Sequence, residues 1–195
     1  MTSADRIHQL RLEEWNLSYT QWKTETLFSI QWWGLVVLIL LSYTIWWILV
    51  DKERLSRILL FGSFVAVQRV IMGIFGNNTG LWSYHIHLLP IYPNPFQDDF
   101  TVTALTMMVV FQFCYSWKKF LIWAGVASGT LSFILFPIFL KFGILKFYHW
   151  RLFYSFLAIL GIATFSRWVL LAVLNIEKRT RNTNDEREHL NKQPK

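Results

Sequence analysis

The stretch from Ile30 to Val50 carries no formal charge, and this constrains the fold more than any other feature of the chain. At 1.5 Å per residue it makes about 32 Å of helix, enough to cross a hydrocarbon core of about 30 Å. Trp32 and Trp33 stand at one end of it, Trp46 and Trp47 at the other. About 21 Å of helix separates the pairs, which suits two belts of indole rings at the two faces of a bilayer. A helix buried in a large soluble core has no need of aromatic pairs at both ends.

Further apolar runs follow. Leu55 to Phe75 is broken by Gln68 and Arg69, and Gly62 and Ala66 within it are small enough to let another helix approach closely. An arginine at mid-span costs about 2.5 to 3.5 kcal/mol on insertion scales, so Arg69 is expected to face protein or water rather than lipid. The run from Phe100 to Trp117 opens after Asp98 and Asp99 and carries Thr101, Thr103, Thr106 and Gln112, the pattern of an inward polar face. Phe120 to Leu140 holds Gly125 and Gly129 at the G-x-x-x-G spacing of helix packing, with Pro137 near its end as a kink or last turn. Leu152 to Leu174 contains Arg167. The expectation is therefore an all-α, polytopic membrane helix bundle with five transmembrane helices between residues 30 and 175.

Composition agrees. Of 195 residues, 54% are hydrophobic and 16% charged, against roughly 25% charged in soluble domains. The formal charge of +7 is gathered between the apolar runs and in the tail, where it suits anionic lipid headgroups and not nucleic acid. The one cysteine, Cys114, excludes an internal disulfide and gives no zinc spacing.

Residues 1–29 lack a signal-peptide core, since Arg6, Arg11, Glu13, Glu14, Lys23 and Glu25 interrupt their apolar residues. Leu12, Trp15, Tyr19 and Trp22 fall at helical spacing. This segment reads as an amphipathic helix, lying either in the headgroup plane or on the protein's own loops. Residues 176–195 read as a polar, disordered tail. Five spans put the termini on opposite sides, and the larger share of Lys and Arg falls on the side of Lys52, Arg54, Arg57, Lys118, Lys119 and the tail. The positive-inside rule then predicts an outside N-terminus and a cytoplasmic tail.

Between the second and third runs lies Gly76 to Phe100, a connector without Lys or Arg. It is too aromatic to read as disordered and too long to be idle, so it reads as an ordered cap or a site. His85, His87, Asp98 and Asp99 could offer nitrogen and oxygen donors to a divalent metal, but nothing in the spacing fixes a geometry, and the reading is of interfacial hydrogen bonding with no metal and no cofactor. Paired Asp residues also occur as magnesium-diphosphate ligands in membrane prenyltransferases, yet no second acidic motif stands in another apolar run. The candidate polar cluster is Arg69 with Asp98, Asp99, His85, His87, Gln68, Gln112, Trp82 and Tyr84. Within it, Arg69 and Asp98 or Asp99 are the expected pair, with snorkelling of Arg69 to phosphate as the alternative.

The succession Gly80-Leu81-Trp82-Ser83-Tyr84, Leu88-Leu89-Pro90, an acidic residue opening the next run, and Gln112 near its end resembles a family of small multi-pass membrane proteins of endospore-forming Firmicutes. That resemblance implies a bacterial plasma-membrane protein and brings no catalytic residues with it. A second, weaker likeness is to lycopene-cyclase-type membrane domains, whose acidic motif is Pro-Glu-Glu where this chain has Gln97-Asp98-Asp99. The expected function is that of a non-enzymatic accessory, sensor or small carrier, in contact with bilayer lipid and other membrane proteins. The alternative is an enzyme acting on a lipid or isoprenoid at the outer interface through Asp98 or Asp99.

Overall fold

The computed structural model describes residues 2–90 and 101–191, with side chains described as far as position 181. Helix α1 (Ser3–Gln21) starts at a capping box, in which Thr2 Oγ1 accepts from the Asp5 N–H and the Asp5 carboxylate accepts from the Thr2 N–H at 2.7 Å. A wide turn over Trp22–Thr26 ends it, and Phe28 then takes a positive φ of 62°, uncommon for a bulky residue. Its ring is held against Trp32 and Trp33, with centroids 5.6 and 6.3 Å away. Ser29 caps α2 (Ile30–Leu49) by accepting from the Trp32 N–H.

A short turn pinned by Asp51 and Arg54 leads into α3 (Leu55–Asn78). Strand β1 (Trp82–Tyr84) follows, then α4 (Thr103–Phe113), α5 (Trp117–Thr130), α6 (Phe136–Lys141), β2 (Leu145–Phe147) and α7 (Leu152–Asn191). Gly80 and Gly143, at φ of 70° and 68°, make the left-handed turns that bring the chain into β1 and β2. The two strands pair antiparallel, with Ser83 opposite Lys146, so the connections after α3 and after α6 are joined at one end of the bundle. We call it the ribbon end.

The core is a set of helical faces meeting around α4. On α3 the buried residues Ile58, Phe61, Gly62, Val65, Ala66 and Arg69 recur every three or four positions, one face of a helix. On α7 the buried face is Ser155, Ile159, Ala163, Ser166 and Leu170. Phe61 stacks on Phe111 at 4.4 Å and meets Phe120 edge-on at 6.1 Å, which ties α3, α4 and α5 together. α2, α3, α5 and α7 all pack on α4.

Four stretches are long and apolar enough to cross a membrane: Ile30–Leu49, Lys52–Asn78, Trp117–Lys141 and Leu152–Arg181. The run expected to span from Phe100 to Trp117 differs. Among the described residues its helix α4 runs from Thr103 to Phe113, about 16 Å, and the stretch that leads into it, residues 91–100, lies outside those described. Met108 fills the space at Gly62, so in the antiparallel pair Arg69 stands level with Thr101, and α3 continues about 13 Å beyond Arg69 toward the ribbon end. The start of α4 lies within the bundle, where Thr103 and, just before the helix, Thr101 are buried.

Other expectations also shift. Among the described residues of the chain, no neighbour packs against Gly125 or Gly129, because a Cβ built on either meets nothing within 4 Å. α5 packs instead through Phe120, Ala124 and Ser128, one position earlier on the helix, where Ala and Ser give the close approach. Pro137 falls in the first turn of α6, just after a wide turn at Leu131–Leu135 that changes the hydrogen-bond register. Where the composition suggests a disordered tail from 176, α7 continues as helix to Asn191. No proline interrupts it, and Glu177 stands four residues before Arg181, an order that supports a helix.

Candidate binding chamber at the ribbon end

The ribbon end is built from backbone hydrogen bonds between distant segments. Leu81 C=O accepts from the N–H groups of Tyr148 and His149 at 3.0 and 3.1 Å, and the His85 N–H donates to Ile144 C=O at 2.9 Å. Trp82 is buried against Gly76 with its ring 4.8 Å from Trp150, whose indole N–H donates to Ser155 Oγ at 2.8 Å. Two further indoles clasp the chain after β1. Trp22 donates to the carbonyls of His87 and Leu88 at 3.1 and 3.3 Å, and Trp32 to Leu88 C=O at 3.1 Å.

Between α1 and this ribbon lies a chamber of about 470 Å³. From α1 it is lined by Glu13, Glu14, Ser18 and Gln21, with Leu10 and Leu17 on the same helical face. From the ribbon it is lined by Tyr84, His85, His87 and Tyr148. Of the residues picked out by their helical spacing, Leu12, Trp15 and Tyr19 fall on the opposite face of α1 and are exposed, while Trp22 turns in to the ribbon. Trp15 and Tyr19 stack there at 6.5 Å.

His87 is buried, and burial with His85 beside it pushes its imidazole down to about 4 from 6.5. It is neutral at physiological pH. The unfolded chain takes up this proton near pH 6.5 and the folded chain only near 4, so the stability tied to the neutral ring is complete above about 6.5 and lost as pH falls through 4. The loss should be on the order of 3 kcal/mol. Tryptophan fluorescence of the purified protein should report loosening across that window, and His87→Gln should flatten it; an unchanged pH profile in the variant would show that another group titrates.

The polar residues singled out in the sequence do not form one site. Trp82, Tyr84, His85 and His87 share the ribbon end. Gln68 and Arg69 sit deeper. Gln68 donates to Ser166 Oγ at 2.7 Å and to Phe64 C=O at 3.0 Å, which links α3 to α7. Arg69 is buried on α3 with Nη1 3.8 Å from Met72 Sδ. Asp98 and Asp99, the expected partners of Arg69 and the acids of the enzyme reading, lie outside the described residues. Gln112 stands at the other end, donating to Leu49 C=O at 2.9 Å and accepting from the Asp51 N–H at 3.1 Å. Among the described residues no group of three or more His, Cys, Asp and Glu converges as metal ligands would.

Arg167 has a setting that sequence could not give. Its guanidinium donates to the carbonyls of Cys114 and Tyr115, both at 2.7 Å, and lies 4.5 Å from the ring centre of Phe120 and 5.1 Å from that of Trp117. It thus holds the connection between α4 and α5. The chamber-lining Glu13, Glu14 and Gln21 were legible as the helical face opposite the aromatic one, whereas nothing in the sequence marks Tyr148. No family model, curated protein or solved structure matches the chain.

Proposed function

We propose that this is an integral membrane protein that crosses the bilayer five times, with its N-terminus outside and its tail in the cytoplasm, and that it works without catalysis as a ligand-binding sensor or accessory subunit. The observation that carries the binding role is the chamber between α1 and the ribbon, which combines carboxylates, imidazoles and phenols in a volume typical of small-ligand sites. Alternating chain direction supports the five crossings. The turns after α1, α3 and α6 meet at the ribbon end, while Gln112 and Arg167 draw the turns after α2 and α4 to the other. In this reading α1 lies in the headgroup plane, its exposed Leu12, Trp15 and Tyr19 in lipid and its polar face over the chamber.

Reporter fusions after Leu81 and after Lys178 test the topology, the first expected outside and the second in the cytoplasm. A cytoplasmic signal at Leu81 or an external one at Lys178 would reverse the orientation. The binding role is tested by thermal-shift screening of the purified full-length protein against small polar compounds. Stabilisation that Tyr148→Ala abolishes, with the compound recovered unchanged, is the expected result; recovery of a chemically altered compound would make the protein an enzyme.

A further inference from the structure

We propose that the chamber takes a small organic cation, a primary amine or quaternary ammonium group, either free or carried on a zwitterionic lipid. The inference rests on the binding reading above and names its ligand. Glu13 and Glu14 project from α1 onto one side of the chamber, and no Lys or Arg lines it. Among the described residues neither carboxylate forms an ion pair. An anion entering the space would meet two like charges and no cation among the lining residues, Lys146 being held over the Tyr148 ring, whereas a cation gains from both carboxylates.

The opposite wall supplies aromatic faces. Tyr84 and Tyr148 present phenol rings, and a ring quadrupole attracts a cation placed over it within about 6 Å. Tyr148 already does so for the chain's own Lys146, whose ammonium lies 5.3 Å from the ring centre. His87 stays neutral at physiological pH and adds no positive charge to the wall. Carboxylates on one wall and aromatic rings on the other make a polarised chamber suited to an ammonium head with a short carbon body. Its position at the end of the bundle, beside the exposed aromatic face of α1, puts it within reach of both dissolved amines and lipid headgroups.

The test uses the full-length protein in nanodiscs of phosphatidylglycerol, a lipid without an ammonium group, titrated calorimetrically with choline, inorganic phosphate and glucose. Choline should bind and the other two should not. Glu13→Gln combined with Glu14→Gln should weaken choline at least tenfold, and Tyr148→Leu several-fold, while Tyr148→Phe, which keeps the ring, should stay close to wild type. Equal choline binding by the wild type and the double glutamine variant overturns the proposal. Phosphate or glucose binding in place of choline overturns the cation assignment and leaves the chamber as a binding site; no binding by any of the three overturns both. Repeating the titration in phosphatidylcholine discs separates the sources: weaker apparent choline affinity identifies the lipid head as the competing occupant, and unchanged affinity identifies a free cation.

Discussion

Replacing Arg167 with alanine should destabilise the protein more than any other single truncation of a buried polar side chain described above. The guanidinium satisfies two carbonyls, those of Cys114 and Tyr115, immediately after the last turn of α4. Hydrogen bonds to a charged group contribute about 1.5 to 3 kcal/mol each, and the cation also sits at the negative end of the α4 dipole. Removing it relieves the cost of burying a charge, so the net loss should be about 3 to 5 kcal/mol rather than the sum of every contact. Arg167→Lys should fall between, because a single ammonium cannot repeat the forked geometry or lie flat among Phe120 and Trp117. Thermal unfolding in detergent, with the yield of folded protein, reads the order wild type, lysine, alanine. An alanine variant within about 0.5 kcal/mol of wild type would show that the connection between α4 and α5 holds without the arginine.

Gly76→Ala should be the most damaging addition of a single methyl group. A Cβ at Gly76 would lie 2.0 Å from Trp82 Cη2 and 2.2 Å from Cζ2, and that indole is rigid, buried and backed by Trp150. Overpacking of this kind costs about 1 to 3 kcal/mol, and displacement of Trp82 from the ribbon should place the variant at the upper end. Gly62→Ala makes an instructive control. Its Cβ would come even closer to a neighbour, 1.6 Å from Met108 Cε, but that atom is the free end of a flexible chain that can turn away. The gain of about 1 kcal/mol in helix propensity from Gly to Ala then offsets much of the strain at position 62. Melting temperatures should rank Gly62→Ala well above Gly76→Ala, with altered tryptophan emission only in the latter; the reverse order would mean that Trp82 is free to move.

What could be read beforehand divides along physical lines. Apolar runs and their end tryptophans are local patterns, and Ile30–Leu49 and the α3 face from Ile58 to Arg69 follow from them. The ribbon is not local. Trp82–Tyr84 pairs with Leu145–Phe147, and so short a strand has no pattern of its own until the helices bring the two connections together. Gly125 and Gly129 had the right spacing, but spacing cannot say which helical face a neighbour meets, and Ala124 and Ser128 face the bundle. The partners of Arg167 were illegible for a simpler reason: they are backbone carbonyls, which every residue has. The expected pair of Arg69 with Asp98 or Asp99 turns on residues outside those described.

The length of α7 has a mechanical consequence. From Leu152 to Asn191 it makes about 60 Å of helix, and among the described residues its buried positions end at Leu170, about 27 Å from its start. No proline or glycine follows Gly161 within it to act as a joint. A continuous rod converts rotation into travel: tilting its buried half by about 10° carries the far tip sideways by about 5 Å over a lever arm of roughly 30 Å. Small rearrangements among packed helices would thus reach the tip enlarged, as a displacement comparable with one helical turn.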